Sequence, residues 1–196
     1  TDREIIVTAD RPYKFLYYDY NGNFLREKTS EAFYTEITRT TDNILAINSK
    51  VLEPKHYLSL LNEEDHRITV AKKIPLAFTY RGEFRCRGSY LLKSEHLYFT
   101  QNGDYTIYSW DNNRIKPVVT VDFGKYSYNP TQLNEEPHAP ATRNKVLSII
   151  NVKEIRSNLF FNTNKIGLFV YNKTRHQIVH AYGITNTNLG IVLHNS

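Results

Sequence analysis

One cysteine, one tryptophan and no methionine occur in 196 residues, and each scarcity removes a class of answer. A lone Cys86 can build neither an intrachain disulfide framework nor a multi-cysteine metal site, so redox chemistry has little support. No apolar run approaches the roughly 18 residues of a membrane-spanning helix, so no transmembrane segment is expected. The opening Thr1-Asp2-Arg3-Glu4 holds no apolar signal segment, and the absence of methionine makes a processed or trimmed product of a longer chain the expectation. Long blocks of one charge are missing too. The balance of 25 Lys and Arg against 20 Asp and Glu gives +5, but basic residues never form a run of five or six, so nucleic acid is not demanded. Helix signals are sparse, and Pro54 to Glu64 reads as strand plus turn.

What is abundant points to β structure: 15 Tyr, 10 Phe, numerous Thr, Ile and Val, and many Asn suited to turns. The clearest hairpin runs from Lys14 to Leu25, where two aromatic-rich runs flank Asn21-Gly22, a pair suited to a type I′ turn. Three later segments share its grammar: Tyr57–Leu61 returning at Ile68, Tyr105–Tyr108 returning at Ile115, and Leu168–Tyr171 returning at Ile178. The first apolar residues after the turns, Phe24, Ile68, Ile115 and Ile178, are 44, 47 and 63 residues apart. The long interval contains the polar, proline-bearing stretch 124–144, which reads as an inserted surface loop; without its 21 residues the interval is 42.

Upstream of each later hairpin lies a second strand pair: Tyr34–Thr38 with Ile44–Asn48, Ser89–Leu92 with Leu97–Thr100, and Leu147–Val152 with Leu159–Asn162. Four antiparallel strands in a repeat of about 40 to 45 residues describe a β-propeller blade. Consecutive apolar positions such as Leu159-Phe160-Phe161 suit a sheet covered on both faces. The expected fold is therefore all-β, a partial propeller of about three to four four-stranded blades in one domain spanning 1–196, with blade boundaries near 31, 80 and 145. A β-sandwich or barrel with coincidental hairpin spacing is the alternative.

Three features give the chain a family resemblance. The hairpin Leu16-Tyr17-Tyr18-Asp19-Tyr20-Asn21-Gly22-Asn23-Phe24-Leu25 resembles the recurrent YDxNGKF hairpin of the six-bladed β-propeller lipoproteins of Bacteroidetes-type bacteria, within the TolB-like or NHL-like architecture. The run from His96-Leu97-Tyr98-Phe99 through Asp104–Tyr108 to Lys116–Tyr126 is similar to a segment of that group, as are Asn158–Phe161 with Val170–Thr174 and Gly183–Asn186. The resemblance implies a ring of upwards of about 270 residues, of which this chain looks like the C-terminal portion. It also implies periplasmic or cell-surface localisation, although neither an export signal nor a lipid-attachment site lies in this sequence. An open arc of blades leaves an apolar face at each end, so self-association through the end blades, or cover by the inserted loop or by missing blades, is expected.

Few residues suggest chemistry. Trp110-Asp111 occurs once and reads as part of a turn. Asp122-Phe123-Gly124 matches the kinase triplet without a glycine-rich loop or a His-Arg-Asp loop, and its glycine reads as the end of a strand. His176 and His180 on one strand would stand about 13 Å apart, too far to share an ion, and no metal or cofactor is expected. Glu63-Glu64-Asp65 and Glu135-Glu136 read as solvated turn or loop residues. Strand alternation separates Cys86 from Arg85 and Arg87. Because inner propeller strands line the axial channel, Arg81, Arg85 and Arg87, with Tyr34 and Arg39 of the preceding repeat, are the candidate contacts for an anion or carboxylate sugar. The first functional expectation is a non-catalytic binding or scaffold module of an exported bacterial protein, with a glycan, small anion or protein as ligand. The alternative is a glycan-active hydrolase or lyase with its site at the axis. Two or more channel-end carboxylates, or a histidine with an acid, supplied by different blades at equivalent positions would favour the enzyme; the inner strands offer Arg, Tyr and Thr instead, which favours binding.

Overall fold

The structure is a computed structural model that describes residues 4–30, 32–40, 43–48, 58–62, 68–72, 90–93, 96–101, 104–111, 114–127, 144–146, 148–164, 167–181, 183–186 and 191–194. Its described strands form antiparallel sheets of the all-β, partial β-propeller class. The chain divides into two compact units, residues 1–85 and 86–196.

The first unit opens with a three-stranded sheet of β1 (Glu4–Asp10), β2 (Tyr13–Asp19) and β3 (Phe24–Thr29). A four-stranded meander follows, made of β4 (Tyr34–Arg39), β5 (Asn43–Asn48), β6 (Leu58–Asn62) and β7 (Ile68–Lys72). Between the sheets lies a core of Phe15, Tyr17, Tyr34, Ile44, Ala46 and Leu61. Phe15 and Tyr34 stack across it at 5.8 Å and 10°. Burying a side chain of this size stabilises by about 1.5–3 kcal/mol, so the pair is a principal bond between the sheets. On β5 the consecutive residues Ile44, Leu45, Ala46 and Ile47 are all buried, which requires cover on both faces of the strand.

The turn from β2 to β3 differs in type from the expected I′. Only Gly22 is left-handed, at φ 83°, and Asn21 is not. The Gly22 N–H donates to the Asp19 carbonyl, and the Asp19 N–H to the Asn23 carbonyl, closing a three-residue loop. The cause is the Asp19 carboxylate, which accepts from the N–H groups of Asn21 at 2.9 Å and Asn23 at 2.8 Å and from the Asn23 amide. Those bonds, Asn23's amide foremost, hold its carboxyl below the usual range.

The second unit contains two meanders. One is β8 (Tyr90–Lys93), β9 (Leu97–Gln101), β10 (Asp104–Asp111) and β11 (Arg114–Thr120); the other is β12 (Ile149–Ile155), β13 (Asn158–Thr163), β14 (Leu168–Asn172) and β15 (Gln177–Ala181). A two-stranded pair, β16 (Gly183–Asn186) and β17 (Ile191–His194), follows. β12 packs against β8 and β9, so the leading strands of consecutive sheets lie side by side, as in neighbouring propeller blades. The core here includes Tyr98, Ile107, Phe123, Val152, Leu159, Phe161 and Phe169. Phe169 is its hub: it stacks on Phe161 at 5.4 Å and on His180 at 4.7 Å, and meets Phe123 edge-on at 5.6 Å.

Several local expectations shift. Trp110 lies within β10, opposite Leu97 and Ile115, rather than in a turn. β11 stops at Thr120, and Gly124, at φ 54°, starts a 3₁₀ turn over Gly124–Tyr126 after the buried Phe123. Residues 128–143, most of the expected inserted loop, lie outside the described residues. The flanking chain is held together: Ser127 bridges Val146, and Lys145 Nζ donates to the Lys125 carbonyl. Among the described residues no helix is long and apolar enough to cross a membrane.

Candidate functional site

Among the described residues, one carboxylate in each unit, on the leading strand of its sheet, gathers donors from its own sheet and from the neighbouring one. In the first unit it is Glu4, at the start of β1. Arg26 of β3 donates to both of its oxygens, at 3.0 Å to Oε2, and Arg39 of β4 donates to Oε2 at 3.3 Å. Arg26 also lies over the Tyr17 ring, 4.0 Å from its centroid, a cation–π contact that fixes the guanidinium plane. The Arg26 hydrogen bond foremost, with help from Arg39, holds the Glu4 carboxyl at about 2 rather than 4.5. A guanidinium fork suits this task because it can meet both carboxylate oxygens at once.

In the second unit it is Glu154, near the end of β12, with a side chain only 1% exposed. Tyr98 of β9 donates its hydroxyl to Oε2 at 2.7 Å, His96 Nδ1 lies 2.6 Å from the same oxygen, and Lys173 Nζ donates to Oε1. A buried charge is tolerated only with such compensation. Lys173 reaches Glu154 from the turn after β14, where Asn172 Oδ1 accepts from the N–H groups of Thr174 and Arg175 and where the Lys173 N–H donates to the Ser157 carbonyl. His96 is more than half exposed, so Nδ1 faces the acid while the rest of the ring meets solvent.

Of the residues singled out from sequence, Tyr34 is 2% exposed and stacked in the core of the first unit, and Arg39 is paired with Glu4. Arg81, Arg85 and Arg87, with Cys86 between the last two, lie outside the described residues. His176 bonds the Tyr171 hydroxyl at 3.0 Å while His180 stacks on Phe169, so the two histidines serve different neighbours. Among the described residues no group of three or more His, Cys, Asp and Glu is placed to hold a metal.

The sequence pattern ends this strand at Val152, whereas β12 runs on to Ile155 and so carries Glu154 inward. A charge count does contain a signal. Residues 1–136 carry 18 Lys and Arg against 19 Asp and Glu, whereas residues 137–196 carry 7 against 1, and that one acid is Glu154. A solitary acid in a cationic segment is a candidate for internal charge compensation.

No curated protein matches the chain. Among solved structures the chain is similar to one titled "Crystal structure of HIRA(644-1017)", with TM-score 0.37 and 12% identity, over 91% of this chain and 52% of that one. A family profile described as "6-bladed beta-propeller" matches residues 1–191. With its repeated meanders and side-by-side leading strands, the chain belongs to the DUF5128 family of 6-bladed β-propellers.

Proposed function

We propose that the chain is a non-catalytic binding or scaffold module, part of an exported bacterial protein working in the periplasm or at the cell surface. The observation that carries the binding reading is how two acids of the described residues are used. Glu4 and Glu154 each spend their charge on cations of the fold and join neighbouring sheets. A glycosidase instead needs two carboxyl groups facing each other across a cleft about 5 to 9.5 Å wide. The exported setting rests on the resemblance of the hairpin motifs to those of bacterial propeller lipoproteins. Arg81, Arg85 and Arg87 stay in the proposal as contacts for an anionic ligand. Tyr34 and Arg39 have a structural part as well, in the core and on Glu4.

One observation favours a second reading, a glycan-active hydrolase or lyase. His96 lies just ahead of β9 and Glu154 on β12, and a buried acid 2.6 Å from Nδ1 orients the ring as a general base is oriented. Incubation with a panel of soluble polysaccharides separates the readings. Retention in affinity electrophoresis without new reducing ends is expected; new ends that vanish in His96→Gln would establish the enzyme.

A further inference from the structure

A strand at the edge of a sheet directs alternate backbone N–H and C=O groups outward, where they are a template for a further strand. Folded proteins blunt such edges with charged side chains or proline. The four larger sheets of this chain end in eight edge strands, and seven of them carry Lys, Arg, Asp, Glu or Pro. β3 has Arg26, Glu27 and Lys28, β11 has Lys116 and Pro117, and even the four-residue β8 ends in Lys93. The exception is β15, Gln177–Ala181, which has none of these residues. Among the described strands none pairs with the side of β15 that faces away from β14. The strand is also open to solvent: Ile178 is 43% exposed and Val179 61%.

We infer that β15 is an interaction edge, pairing antiparallel with β15 of a second copy of this chain and joining two four-stranded sheets across a twofold axis. The strand suits itself as partner. With Val179 opposite its own copy, all five residues pair, Ile178 facing His180 and Gln177 facing Ala181 across the junction. Val179 already stands opposite Val170 in its own sheet, so this valine row runs on into the same two residues of the second copy. On the other face His180, stacked on Phe169, leads into Ile178 and Tyr171 of the second copy. Aromatic and β-branched pairs of this kind stabilise neighbouring strands. No like charges meet in the ladder. The two copies of Arg175, just ahead of each strand, lie at opposite ends, roughly eight residues or about 27 Å apart. That exceeds the screening length of about 8 Å at physiological salt. The contact runs edge to edge and is therefore distinct from face-on association of end sheets. An edge of five residues is small, which places the dimer among weak, reversible contacts.

The test is sedimentation velocity of the full chain over a dilution series, with hydrogen exchange of the wild type at its highest and lowest concentrations. A monomer and dimer in equilibrium are expected, with exchange across 177–181 slower where the dimer prevails. Val179→Lys, at an exposed position that tolerates the change, sets two lysines opposite each other and is expected to weaken the dimer about tenfold or more. Ile5→Lys adds the same charge on the exposed apolar residues of β1 and is expected to leave the dimer unchanged. A monomer at every concentration would overturn the inference. So would a dimer without added protection across 177–181, or one lost in Ile5→Lys and kept in Val179→Lys, which would assign the contact to the first sheet. Equal protection of β15 at all concentrations would mean that the chain covers this edge itself, and would overturn it as well. The exchange comparison uses the wild type alone, so it decides the matter even if Val179→Lys fails to fold.

Discussion

Glu4 in the first unit and Glu154 in the second solve one problem with different chemistry. Both sit on the leading strand of a sheet, and both bind a cation two strands away in that sheet and a donor from the next. Glu4 keeps some contact with water, its side chain 16% exposed, and relies on two guanidinium groups. Glu154 is sealed at 1% and relies on a lysine, a histidine and a tyrosine hydroxyl. The difference teaches how burial sets the stakes. A half-wet pair adds modestly to stability, whereas a sealed carboxylate must have every partner in place, because removing one leaves a buried charge without compensation.

The largest effect that would break this comparison is therefore expected in the second unit. Lys173→Ala leaves the buried Glu154 carboxylate without its lysine and is expected to cost about 3–5 kcal/mol, read by denaturant unfolding. A cost below about 1 kcal/mol would place Glu154 with ordinary surface acids. Tyr98→Phe removes one hydroxyl donor to a charged acceptor and keeps the ring, with an expected loss of about 1.5–3 kcal/mol.

The first unit sharpens the contrast through pH. Because the folded carboxyl of Glu4 is held at about 2 against 4.5, its contribution is complete above 4.5 and disappears as pH falls through 2. Asp19, also lowered, acts in the same direction. Glu4→Gln is expected to cost about 1–2 kcal/mol at neutral pH and little at pH 2, so that wild type and variant converge in acid. Parallel curves from pH 7 to pH 2 would show that Glu4 has no such role.

How far these features could be read from sequence depends on the type of signal. Turns rich in Asn, Asp and Gly between apolar runs marked the meanders, because such residues break strands by simple steric and hydrogen-bond rules. The hairpin ending near Leu25 was legible for that reason, but its turn type was not: the choice was made by the Asp19 carboxylate, whose reach to Asn21 and Asn23 no dipeptide rule includes. Glu154 was illegible for a related cause. Val152 and Glu154 share one face of β12 and both are buried, yet an acid at an inward position reads as the end of a strand unless its partners are known. Two of them, His96 and Tyr98, lie more than 50 residues away. Arg39 was legible as an unusual cation on an inner strand, while its partner Glu4 lay 35 residues upstream in another sheet.

The smallest expected effect concerns that first turn. Gly22 is left-handed, with open space where a Cβ would stand, so Gly22→Ala meets backbone strain alone and is expected to cost about 1 kcal/mol. Gly22→Asn is expected to cost less, since Asn tolerates this conformation. Equal costs would mean that Asn gains nothing from its tolerance here.

The most direct measurement of the tie between sheets is a double-mutant cycle joining Glu154→Gln and Tyr98→Phe, followed by denaturant unfolding. If Glu154 fastens β12 to β9 through that hydroxyl, the two losses are strongly non-additive, with a coupling of about 1 kcal/mol or more. Losses that add to within about 0.3 kcal/mol would contradict the account.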